Sequence, residues 1–112
     1  IMSNRKKILI FIDWFLPGYK AGGPIRSVSN IVEVLSGEFD FHVLTSDKDY
    51  GETEPYPDIE PNVWIEKPEY KVMYLSDDAI GIGSYKQILK EGNFDTVYFN
   101  SFFSVGFTLL PL

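Results

Sequence analysis

The chain has 112 residues, 45% of them hydrophobic and 23% charged, with a net charge of −6. That is globular composition at the size of one domain, and the acidic balance argues against non-specific binding of nucleic acid. The absence of cysteine and the presence of one histidine exclude disulfides, zinc–thiolate sites, a cysteine nucleophile and a two-histidine metal site.

Arg5-Lys6-Lys7 followed by Ile8-Leu9-Ile10-Phe11-Ile12 begins like a signal peptide, but the apolar run stops at Asp13. It is too short for a signal core or a membrane span, and the chain reads as cytoplasmic. A short continuous run of large apolar residues predicts a strand buried on both faces, as in the middle of a parallel sheet. Trp14 to Gly23 is a loop, broken by Pro17-Gly18 and Gly22-Gly23. Residues 24–36 then change to helical period: Ile25, Val28, Ile31, Val32 and Leu35 share one face, and Arg26, Ser29, Asn30 and Glu33 lie off it. Pro24 suits the first helical position and Gly37 a stop. Phe39–Ser46 predicts a second strand, so residues 8–46 form a βαβ unit with a right-handed crossover expected.

Asp47 to Asn62 interrupts the pattern with six acids, one lysine and three prolines. It reads as a long, mainly solvated surface excursion. Val63–Glu66 and Lys71–Leu75 predict two short strands. A helix is expected over Ser84–Glu91 with Ser84 as its N-cap, led in by Gly81-Ile82-Gly83 and ended by Gly92-Asn93. Asp95 to Asn100 holds Thr96-Val97-Tyr98-Phe99, a further strand of the main sheet. Phe102, Phe103, Val105, Phe107, Leu109, Leu110 and Leu112 then crowd the last residues. A chain end this apolar reads as the start of a buried helix, and so as part of a longer protein or as a self-association surface.

The chemistry concentrates in the first loop. Ligands of open parallel sheets bind outside the carboxyl ends of the strands. Gly22 and Gly23 have no Cβ and precede a helix whose free N–H groups attract anions, phosphate above all. Lys20 and Arg26 place positive charge at the same end, against the helix dipole, which favours an anionic ligand. The spacing fits neither a Walker loop nor the dinucleotide fingerprint. Asn100 and Ser101 close a strand at the same edge, where they either bond a sugar hydroxyl or turn the chain. His42, between Phe41 and Val43, reads as a structural histidine. Tyr50, Tyr56 and Trp64 flank the acidic excursion and read as core packing ahead of sugar stacking.

The order of these features resembles the N-terminus of glycosyltransferase family 4. It lies in the apolar strand, Pro17-Gly18…Gly22-Gly23-Pro24 with its helix, and His42-Val43-Leu44-Thr45. Asp49-Tyr50-Gly51…Pro55-Tyr56-Pro57, Trp64 and Val72-Met73-Tyr74-Leu75 are similar to a bacterial subgroup of that family. The resemblance implies a GT-B enzyme with two Rossmann-like domains, of which residues 1–112 are part of the N-terminal, acceptor-binding one. It implies retaining transfer from a nucleotide-sugar to a glycan or lipid-linked acceptor, without a metal or other cofactor, at or near the inner face of the membrane. The donor diphosphate is then expected at Gly22 and Gly23 with Lys20 and Arg26, and the acceptor near Asn100 and Ser101. The paired glutamates and basic residues of such enzymes belong to the other domain, so no catalytic residue is expected here and the chain alone is expected to be inactive. The alternative is a non-catalytic flavodoxin-like or receiver-like module. For a receiver, Asp13 is a lone acid at the first strand and Asp77-Asp78 a weak third-strand signal.

Overall fold

A computed structural model of the chain describes residues 5–20 and 22–100. Ser101 and the apolar run after it therefore lie outside the described residues. The elements are β1 (Lys6–Ile12), α1 (Gly23–Leu35), β2 (Phe39–Ser46), β3 (Trp64–Glu66), β4 (Lys71–Leu75), α2 (Ile82–Gly92) and β5 (Thr96–Asn100). The protein is α/β, with one five-stranded sheet in the order β3-β4-β2-β1-β5. β1, β2, β4 and β5 are parallel, and β3 pairs antiparallel to β4 at the edge. The register places Ile10 beside Val43 on one side and Tyr98 on the other.

The continuous apolar run of β1 follows from its central place. Ile10 and Ile12 join Phe41, Val43, Val72 and Tyr74 beneath Ile25, Val28 and Val32 of α1. Leu9 and Phe11 point the other way, with Leu44, Met73 and Leu75, against Tyr85 of α2. Both faces are covered, which accounts for the unbroken apolar run from Ile8 to Ile12. Each fully buried side chain of this kind contributes roughly 1.5–3 kcal/mol.

Several sequence expectations shift. Ile31 of α1 is 45% exposed. It lies at the rim of an apolar cavity of about 300 Å³ that also borders Ile8, Leu35, Phe39 and Tyr98. Helix α2 begins at Ile82 with Gly81 as its N-cap, and the Tyr85 N–H donates to the Gly81 carbonyl at 3.1 Å. Ser84 therefore lies inside the helix and does not cap it. Asn93 ends α2 in the left-handed conformation at φ 53°. A single 3-10 turn, Asp77–Ala79, joins β4 to α2.

His42 is buried on the α2 face of β2, edge-on to Trp64 and Phe94 with ring centroids 5.1 Å away in each case. Its Nδ1 has no hydrogen-bond partner among the described residues, and Asp40 Oδ1 lies 3.9 Å away. Burial lowers its pKa, with Asp40 partly opposing. Among the described residues, no helix is long and apolar enough to cross a membrane.

Candidate functional site

The parallel strands end on one edge, where three connections meet: residues 13–22, 47–63 and 76–81. The first of these is held down from below. Phe15 is fully buried, and the Leu16–Pro17 peptide is cis. The Tyr74 hydroxyl donates to the Leu16 carbonyl at 2.5 Å, and the Tyr56 hydroxyl to the Phe15 carbonyl at 3.3 Å. Burial raises the pKa of both phenols, that of Tyr56 to about 12 with help from the Asp49 charge.

The acidic excursion is not simply solvated. Asp47 and Asp49 are buried, and Tyr56 packs against the core. The Asp49 carboxylate accepts N–H bonds from Tyr19 and Lys20 at 3.3 Å each and from Tyr50 at 2.7 Å. Gly18 lies so close that an added Cβ would stand 2.7 Å from Asp49 Oδ1. A pair of successive amides converging on one anion is an amide nest. Asp49 escaped the sequence reading because an acid in an acidic, proline-rich stretch is ordinarily a solvated one. The only available hint was Gly18, a glycine that the turn after Pro17 already explained.

The predicted donor residues divide. Gly22, Gly23 and Arg26 line one groove of about 600 Å³, together with Leu16, Tyr19, Ser29 and Asn30. Gly22 has φ +75°, which a side chain would strain, and a Cβ at Gly23 would meet nothing within 4 Å. Lys20 is not part of that groove. Its ammonium forms an ion pair with Glu52, whose hydrogen bond and charge raise the lysine pKa. Among the described residues, Arg26 makes no ion pair.

The start of α1 is less open than helix geometry alone suggests. Gly22 N–H donates to the Tyr19 carbonyl at 3.1 Å. The Ile25 and Arg26 N–H groups turn back to the Gly22 carbonyl at 3.1 and 3.3 Å. Pro24 has no N–H. Gly23 thus carries the one first-turn amide left over among the described residues. An anion here would meet a single N–H, the Arg26 guanidinium and the Ser29 and Asn30 side chains, with the bare Gly22 backbone allowing close approach.

A second polar cluster stands across the edge. Lys48 Nζ bridges Asp47 Oδ1 at 2.9 Å and Asp77 Oδ1 at 3.0 Å, and these partners raise its pKa, Asp47 foremost. Asn62 and Ser76 bond one another, the Ser76 N–H to Asn62 Oδ1 and the Asn62 amide to Ser76 Oγ, both at 3.1 Å. The Ser76 hydroxyl also donates to Asp78 at 2.6 Å, which lowers the Asp78 pKa. No group of three or more potential metal ligands gathers among the described residues.

Asn100 ends β5 level with Ile12, which sets its backbone on the same edge. Tyr50 is half-exposed and meets Trp14 edge-on with centroids 4.8 Å apart. Trp64 pairs with Met73 on the edge strand β3, and its ring packs edge-on against His42. Comparison of the chain with protein-family models, curated proteins and solved structures finds no match.

Proposed function

We propose that the chain is the acceptor-side, Rossmann-like part of a retaining glycosyltransferase, and that its first-loop groove takes the diphosphate of a nucleotide-sugar. The observation that carries this reading is the groove itself. It lies at the carboxyl end of β1, it joins Gly22, Gly23 and Arg26, and Arg26 is its unpaired cation among the described residues. A buried acid fixes the neighbouring loop, so the groove has a defined wall.

Strand order supports the same reading. With the antiparallel β3 left aside, the parallel strands run third, second, first, fourth across the sheet. That is the dinucleotide-fold order, in which the direction of winding reverses beside the first strand and opens a crevice there. A flavodoxin-like or receiver-like module places its third strand next to its first, where β5 stands here, so the order counts against that alternative.

In this reading Gly22 lets the pyrophosphate approach the backbone. Gly23 donates its N–H and Arg26 answers the charge. Lys20 serves the loop through Glu52 rather than the ligand. The acceptor is a glycan or lipid-linked sugar, and membrane contact is peripheral. Stabilisation of the leaving diphosphate is the main catalytic term, with its remaining donors on the other domain of the enzyme.

The test is titration of the full chain, and of a full-length parent enzyme, with UDP and GDP by calorimetry and amide chemical shifts. Shifts confined to Gly22, Gly23 and Arg26 are expected, and Gly23→Val is expected to abolish them without unfolding, since the space there is open. Absence of binding to a folded full-length parent would sink the reading.

A further inference from the structure

The first loop already holds an anion, and it comes from this chain. Asp49 is 8% exposed, and among the described residues every bond that its carboxylate accepts comes from a backbone N–H, two of them on a segment about thirty residues earlier. From there a run of bonds leads into the groove. Asp49 takes the Tyr19 N–H, the Tyr19 carbonyl takes the Gly22 N–H, and the Gly22 carbonyl takes the Arg26 N–H. The bond from Tyr50 is 2.7 Å, and those from Tyr19 and Lys20 are longer at 3.3 Å, each directed to a charged acceptor. The segment it holds contains Gly18, which touches it closely, and leads directly to Gly22 at positive φ.

We propose that Asp49 is the positioning residue of the groove. Its carboxylate occupies the amide nest of Tyr19 and Lys20 and thereby sets the turn that presents Gly22, Gly23 and Arg26. This rests on reading the groove as a diphosphate site, and it adds two things. It names the side chain that preorganises the site, and it assigns the nest to an internal anion. The external anion therefore binds beside the nest and never within it.

The experiment uses the full chain labelled with nitrogen-15, inorganic pyrophosphate as the probe, and the variants Asp49→Asn and Asp49→Ala. In the parent chain, pyrophosphate shifts the Gly23 and Arg26 signals and leaves Tyr19 and Lys20 in place. Asp49→Asn keeps the size but removes a charged acceptor, and pyrophosphate affinity falls by about tenfold. In Asp49→Ala, added formate returns the Tyr19, Lys20 and Gly22 signals toward their parent positions and restores pyrophosphate binding, a rescue that a purely structural role would not give. Hydrogen exchange in the parent chain is the variant-free check, and the Tyr19 and Lys20 amides are expected to be protected. Rapid exchange at both amides, or unchanged pyrophosphate affinity in Asp49→Asn, overturns the proposal while leaving the groove as an anion site. Failure of pyrophosphate to bind the parent chain overturns the anion site. Protection and formate rescue of the amide signals would then still read out the hold of Asp49 on the loop.

Discussion

Gly18→Ala tests the junction between the first loop and the acidic excursion most directly. A Cβ at Gly18 would stand 2.7 Å from Asp49 Oδ1 and 2.8 Å from Asp49 Cγ, and it would collide with the Tyr56 hydroxyl. The Asp49 carboxyl must retreat by about 0.7 Å to regain ordinary contact. Its bonds to the Tyr19 and Lys20 amides are already 3.3 Å long, so a retreat of that size breaks them. Tyr56 is pinned in turn by the Phe15 carbonyl, so neither side chain yields freely. Overpacking together with two lost charge-assisted bonds costs about 2–4 kcal/mol. For a domain of this size that lowers Tm by on the order of 10–20 °C. Urea unfolding followed by circular dichroism measures it, with Gly37→Ala as the control. Gly37 has open space around it and no positive φ, so its alanine should be neutral or raise stability by up to about 1 kcal/mol. A Gly18→Ala protein within about 0.5 kcal/mol of the parent would refute the close approach and the argument built on it.

Three further outcomes are expected. His42 is buried with its pKa lowered, so the unfolded chain binds its proton more readily than the folded one. The stability that it contributes is complete above its ordinary pKa of about 6.5 and is lost as pH falls from there through the lowered value. Urea midpoints between pH 7 and 5 should show this slope, and His42→Phe should flatten it; an equal slope in both proteins would dismiss the mechanism. Tyr74→Phe removes the hydroxyl donated to the Leu16 carbonyl and leaves that carbonyl without this donor, at a cost of about 1–2 kcal/mol in thermal unfolding. The Tyr56 and Tyr85 phenols are pushed up to about 12, so stability is full below pH 10 and falls as pH rises through the folded values. Absorbance of tyrosinate should show these phenols ionising only as the chain unfolds, and ordinary titration near pH 10 in the folded protein would contradict their burial.

What the sequence determined by itself is what local period encodes. The apolar run of β1 is legible because a strand covered on both faces is mainly apolar, and Phe39–Ser46 and Lys71–Leu75 are legible from their dense Phe, Val, Tyr and Leu content, although β2 also buries His42 and Thr45. Helix α1 is legible because Ile25, Val28 and Val32 recur at the spacing that one helix face requires. Gly22 and Gly23 stand out for a similar local reason, since backbone freedom is written in residue type. The tertiary structure alone decided how the polar groups pair and where the strands lie. No local pattern sets β5 beside β1 or closes the sheet with β3 at the far edge. No local pattern tells a buried Asp49 from a solvated one, because its donors on Tyr19 and Lys20 arrive from a distant segment. The same holds for Lys20, whose partner Glu52 is 32 residues away. Hydrophobic burial is additive along the chain and leaves a period. Hydrogen bonds and ion pairs depend on which segments the fold brings within about 3 Å of each other, and only the assembled sheet determines that.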